Sequence, residues 1–160
     1  MPGVGKSYWA EQIAAAYAMQ CIDLDNIIEV RTGMSIGSFF ERYGETEFRK
    51  LERLTLSQVL EVFGHNCVVA CGGGTPCFYD NLAQMKSKGT VLYLQASLAD
   101  ICKRLAEEHQ KRPLLQLPDW EDKLASLLTQ RAPIFEQADY ILPATDLSTA
   151  DFKPFVATAE

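Results

Sequence analysis

The chain has 160 residues, with 15 lysines and arginines against 21 aspartates and glutamates, a net charge of −6 and 48% hydrophobic residues. That length suits a single domain with its own core, 1–160, and the acidic balance argues against nonspecific binding to nucleic acid or to an anionic membrane surface. No apolar run approaches the ~18 residues of a membrane span, and five cysteines without C-x-x-C spacing exclude structural zinc and point to reduced, mostly buried thiols in the cytoplasm.

The first element is Met1-Pro2-Gly3-Val4-Gly5-Lys6-Ser7. It fits the phosphate-loop pattern G-x-x-x-x-G-K-[ST], with the first glycine falling just upstream of Met1. Glycines let successive amides turn inward on one anion. Lys6 supplies a point charge for β- and γ-phosphates, and Ser7 a hydroxyl for Mg²⁺. A helix follows, its apolar stripe Ala10, Ile13, Ala14 and Tyr17, and its positive end faces the same anion. The strand that should precede such a loop is not in the sequence, so the reading expects a truncated or mis-started chain.

Cys21 to Asp25 reads as a short strand ending in acid, with Asp23 and Asp25 on one face. They are either a solvated strand end or, beside a triphosphate, a metal ligand through water and a proton acceptor. A short helix closes at Gly33; Ser35 caps another that stops at Gly44; a third runs from Glu45 to Phe63. On it Arg49 and Glu52 stand three apart, which by spacing alone is a surface ion pair worth about 0.5 kcal/mol.

Cys67 to Ala70 reads as a buried strand running into Gly72-Gly73-Gly74-Thr75. One glycine serves a turn; three in a row are expected where a ligand approaches backbone, at the carboxyl end of a strand. Then come a helix from Cys77 to Ser87, a strand from Thr90 to Leu94, and a helix capped by Ser97 and Asp100 that reaches His109. A charged, proline-stopped segment around 107–118 is either a solvated loop or a lid carrying an arginine. Asp119 caps a helix toward Ala138, with a kink or break expected near Arg131 because Pro133 costs about 3 kcal/mol in a helix interior. Tyr140 to Leu142 is a last strand, and a helix is expected around Phe152 to Ala159. His65 and His109 are isolated and read as loop or surface residues. Strands alternating with helices give an α/β, doubly wound parallel sheet.

Taken together, P-G-V-G-K-S, I-D-L-D, E-F-R-K-L-E, C-G-G-G-T, K-R-P-L-L and Q-R-A-P-I-F-E-Q-A-D resemble the shikimate kinase family across nearly the whole chain. The resemblance implies a P-loop kinase three-layer sandwich with a parallel sheet of order 2-3-1-4-5, its first strand absent here. It implies transfer of the γ-phosphoryl group of ATP to the 3-hydroxyl of shikimate, in aromatic amino-acid biosynthesis, by a cytoplasmic monomer. Gly3, Val4, Gly5, Lys6, Ser7 and Tyr8 would contact the nucleotide, with Ser7 and Asp23 on Mg²⁺ and Arg104 against adenine. Asp25 would take the shikimate hydroxyls. Arg49 and Arg131 would grip its carboxylate, with Glu52 orienting Arg49, and Gly73 and Gly74 would meet its ring. Lys6, Asp25 and the lid's Arg112 form the catalytic set; the helices over about 26–63 bind shikimate. Tyr8 departs from the family's small residue. A gluconate kinase-like enzyme and an inactive nucleotide-binding module are the alternatives.

Overall fold

In the computed structural model, which describes residues 1–63, 66–107 and 119–156, the glycine-rich loop hands directly to helix α1 (Lys6–Ala16). Gly3 and Gly5 adopt φ of 72° and 88°, left-handed values that a side chain would strain. Ala10, Ile13 and Ala14 are buried as their spacing requires. Strand β1 (Gln20–Asp23) ends two residues sooner than expected. The Asp23 carboxylate accepts the Asn26 amide at 3.2 Å and caps helix α2 (Leu24–Thr32), which puts Asp25 in its first turn rather than on a strand face.

Helix α3 (Ile36–Val62) is two segments end to end. Ser35 caps the first through the Ser38 amide at 3.1 Å, and Gly44, at φ 78° and ψ 172°, separates them. Strand β2 (Cys67–Ala70) leads through the glycine triplet into a single 3-10 turn, Thr75–Cys77. The next helix, α4 (Asn81–Lys88), starts four residues later than expected, because Phe78 is extended and Tyr79 has φ 52°. Strand β3 (Leu92–Gln95) also starts late: the Val91 amide donates to the Asp139 carboxylate at 2.9 Å.

Ser97 and Asp100 cap α5 (Leu98–Glu107) as expected. Helix α6 (Trp120–Phe135) runs through Arg131 and Pro133. No break forms because the proline sits in the last turn, where its missing N–H removes one hydrogen bond and little helix follows. Strand β4 (Tyr140–Pro143) and a 3-10 segment (Thr149–Phe155), opened by a Ser148–Asp151 capping box, complete the described chain. The expected terminal helix is therefore this 3-10 segment as far as it is described; residues 157–160, His65 and His109 lie outside the described residues.

β1 pairs in parallel with β2, Ile22 opposite Val69, and β3 in parallel with β4, Tyr93 opposite Ile141. These are two two-stranded parallel sheets. Between β2 and β3 lies a slot of about 420 Å³ lined by Val68, Val69, Leu92 and Leu94, with Ile13 and Phe152 among the other walls. One core joins Val4, Ile13, Ile101, Leu105, Phe135 and Phe152; the other joins Ile22, Leu24, Ile28, Phe39, Phe48 and Leu56. No two cysteines are joined in a disulfide; against expectation they are not mostly buried, Cys21 being exposed and the other four half-buried. No described helix is long and apolar enough to cross a membrane.

Candidate active site

The loop and the start of α1 form one half of the site. The Lys6 ammonium folds back along the loop and donates to the Met1 carbonyl at 2.6 Å. The Ser7 hydroxyl donates to Asp23 Oδ2 at 2.6 Å, which joins the first turn of α1 to the end of β1. A Cβ on Gly3 would lie 2.9 Å from Leu105 Cγ, so the turn is pressed against α5 as well as left-handed. From α5, Arg104 donates to the Val4 carbonyl at 3.4 Å and to the Ala144 carbonyl at 3.2 Å. A groove of about 320 Å³ runs past Gly5, Tyr8, Arg104, Asp146 and Leu147. The exposed Tyr8 ring stands edge-on to Trp9, centroids 5.2 Å apart.

These groups fit a magnesium-bound nucleotide. Left-handed glycines aim amides inward, the helix start adds its positive end, and hydroxyl and carboxylate oxygens suit a hard cation. Among the described residues no cluster of three or more His, Cys, Asp or Glu side chains forms a metal cage.

The other half is built around Arg49. Spacing alone favours a surface ion pair, but Arg49 is 8% and Glu52 0% exposed. Arg49 Nη1 donates to Glu52 Oε2 at 2.8 Å, while Nη2 and Nε donate to Glu45 Oε1 at 3.0 and 3.2 Å. The guanidinium lies over the Phe78 ring at 4.1 Å, with Phe48 at 5.1 Å and Phe40 at 5.7 Å. Aromatic faces hold a cation in place without neutralising it.

The three glycines are explained by proximity. A Cβ on Gly72 would lie 2.9 Å from Glu52 Oε1 and 3.0 Å from Asp25 Oδ1; on Gly73, 3.1 Å from the Pro2 nitrogen; on Gly74, 2.9 Å from Arg49 Nη2. The triplet thus lets two carboxylates, the phosphate loop and a guanidinium approach one stretch of backbone. Arg131, half-buried on α6, donates to the Gly73 carbonyl at 3.2 Å. Burial holds its pKa below the ordinary value and the Arg49 charge adds to this, with Cys77 opposing. Burial likewise raises the Asp25 carboxyl, helped by Asp23 and Glu52 and opposed by Lys6. The Cys71 thiol is pushed up to about 12, first by burial and then by Glu52. Two guanidinium groups that feel one another, both withdrawn from water, make a seat for a small anion.

The structure therefore brings Asp25, Arg49, Gly73, Gly74 and Arg131 together and sets Gly3 to Ser7 against them through the Pro2–Gly73 contact. Arg104 and Tyr8 line the groove on the far side of the loop. Arg112 lies outside the described residues. Sequence reasoning missed Phe78, because Pro76-Cys77-Phe78-Tyr79 reads as a helix start; it also gave no role to Thr75 or Asn81, both fully buried.

A family model described as shikimate kinase matches residues 2–159. The shikimate kinase of Stenotrophomonas maltophilia is 39% identical over 150 residues, covering 93% of this chain and 82% of that protein. The crystal structure of shikimate kinase from Bacteroides thetaiotaomicron superposes with a TM-score of 0.85 at 37% identity, covering 92% of this chain and 84% of that one. Shikimate kinase from Acinetobacter baumannii, solved in complex with shikimate, gives 0.85 at 30% identity over 95% of this chain and 84% of that one. A P-loop fold whose glycine loop faces two converging arginines, matched along nearly its full length, places the chain in the shikimate kinase family.

Proposed function

We propose that the chain transfers the γ-phosphoryl group of ATP to the 3-hydroxyl of shikimate, as a monomer in the cytoplasm. One observation carries this reading: Arg49 and Arg131 converge on the glycine triplet beside Asp25, with the phosphate loop in contact with the same backbone. In this reading the arginines hold the acceptor's carboxylate. Asp25 accepts a hydrogen bond from the hydroxyl that attacks, and burial, which raises its pKa, makes it a stronger proton acceptor than an exposed carboxylate. The amides of Gly3 to Gly5 and the Lys6 ammonium cradle the phosphates, Ser7 and Asp23 would hold Mg²⁺, and Tyr8 and Arg104 border the nucleoside. Bound Mg²⁺ would neutralise charge on the phosphate oxygens. Arg112, in the segment 107–118 proposed as a lid, would close over the nucleotide.

Phosphoryl transfer asks a protein for alignment and charge stabilisation more than for covalent help, and this set of residues supplies both. The test is ADP release with ATP, Mg²⁺ and shikimate, quinate or gluconate as acceptor. ADP release that depends on shikimate supports the reading; preference for gluconate, or none for any acceptor, refutes it.

A further inference from the structure

Behind the proposed acceptor pocket runs a buried polar chain. The Thr75 hydroxyl donates to Glu52 Oε1 at 2.6 Å, and the other Glu52 oxygen takes Arg49 Nη1 at 2.8 Å. The Asn81 side-chain amide, at the start of α4, donates to the Thr75 carbonyl at 2.8 Å. Glu52, Thr75 and Asn81 are each 0% exposed. Among the described residues the Asn81 oxygen is the one buried side-chain oxygen or nitrogen without a partner. An amide left half-satisfied is a cost that a turn alone does not require; here it fixes the backbone from which Thr75 reaches Glu52.

From this geometry we propose that Thr75 is a positioning residue for acceptor binding: its hydroxyl locks the Glu52 carboxylate so that Glu52 engages only the Nη1 edge of Arg49, and Asn81 holds Thr75 in place. The proposal rests on the acceptor pocket assigned above. Without the hydroxyl, Glu52 Oε1 is buried with no donor, and the carboxylate turns toward Arg49 to recover one. The guanidinium then shifts from its seat between Phe78 and Gly74. Asp25 and the phosphate loop make no bond to Thr75 and keep their places.

The experiment compares Thr75→Val, which keeps the shape and removes the hydroxyl, with Thr75→Ser, which keeps the hydroxyl. Thr75→Val should raise KM for shikimate about tenfold or more, the range for a lost hydrogen bond to a charged group, while KM for ATP stays within twofold. Thr75→Ser should restore most of the shikimate KM. In a Glu52→Gln background the Thr75→Val effect should largely vanish, because the two residues act in series. An unchanged shikimate KM in folded Thr75→Val, an equal rise in both KM values, or full additivity with Glu52→Gln overturns the proposal. If Thr75→Val does not fold, Thr75→Ala makes the same comparison. Failure of the wild-type chain to turn over or bind shikimate refutes the assigned function instead. A crystal structure of the Thr75 variant in which Arg49 keeps its place against Gly74 overturns the positioning role whatever the acceptor is.

Discussion

Replacing Asp25 by asparagine should slow turnover sharply and at the same time stabilise the fold at neutral pH. The Asp25 carboxyl is raised first by burial, then by the charges of Asp23 and Glu52, with Lys6 opposing. A carboxyl whose folded pKa lies above its unfolded value of 3.8 binds more protons in the folded chain. Its contribution to stability therefore falls as pH climbs from the unfolded value through the raised one, and the full penalty is present above it. Asp25 Oδ1 and Glu52 Oε1 each lie about 3 Å from the point a Gly72 Cβ would fill, hence no more than about 6 Å apart. At an effective dielectric of 20 two unit charges at that distance repel by about 3 kcal/mol. Glu52 is compensated by Arg49, and Lys6 offsets part of the rest, so a net gain of about 1 kcal/mol is expected. For a chain of this length that raises Tm by about 2–4 °C. Thermal unfolding of both proteins between pH 4 and 8 should show the advantage of Asp25→Asn greatest near neutrality and shrinking toward pH 4, while kcat falls about 10²- to 10⁴-fold. A lower Tm for Asp25→Asn at pH 7, or a difference independent of pH, would refute the argument.

The remaining outcomes follow from single contacts. Arg131→Ala should raise KM for shikimate by about 10- to 100-fold, the loss of a charge-assisted hydrogen bond, with KM for ATP little changed in steady-state kinetics. Gly74→Ala presses a methyl against the Arg49 guanidinium and should raise KM for shikimate alone, whereas Gly73→Ala presses on Pro2 and should raise both KM values; overpacking of this kind costs about 1–3 kcal/mol. Ser7→Ala removes the hydroxyl bonded to Asp23 and should shift the Mg²⁺ concentration for half-maximal rate upward by about tenfold in a metal titration. A peptide of five or six apolar, β-branched residues should raise Tm by entering the slot between β2 and β3, because strand edges beside an apolar cleft are templates for pairing; an unchanged melt at saturating peptide counts against that.

The phosphate loop was legible because its chemistry forces a contiguous pattern: amides need glycines, and the cation and hydroxyl must follow at once. The glycine triplet was legible for a similar reason, since its cost in chain entropy demands a neighbour. Arg49 and Glu52 show where reading stops. Their three-residue spacing is the same in a solvated pair and in a buried one, and what separates the two is packing by Phe40 and Phe48 of the same helix and by Phe78 from beyond the glycine triplet. Element ends failed where a side chain competed with backbone pairing: Asp23 capping α2 cut β1 short, and the Asp139 carboxylate took the Val91 amide from β3. Pro133 leaves α6 unbroken because it lies near the helix end, a distance that the sequence did not fix.

The two halves of the site share a piece of backbone, and that determines how they can be disturbed. Gly73 offers its carbonyl to Arg131 on one side and its bare Cα to Pro2 of the phosphate loop on the other. Gly74, one residue on, faces the Arg49 guanidinium. A shift of the triplet by a few tenths of an ångström would therefore change the distance between nucleotide and acceptor without removing any group that binds either. Alignment is the main catalytic resource for phosphoryl transfer. In the proposed reading it is set by small residues that bear no charge, while the charged ones determine which acceptor is held there.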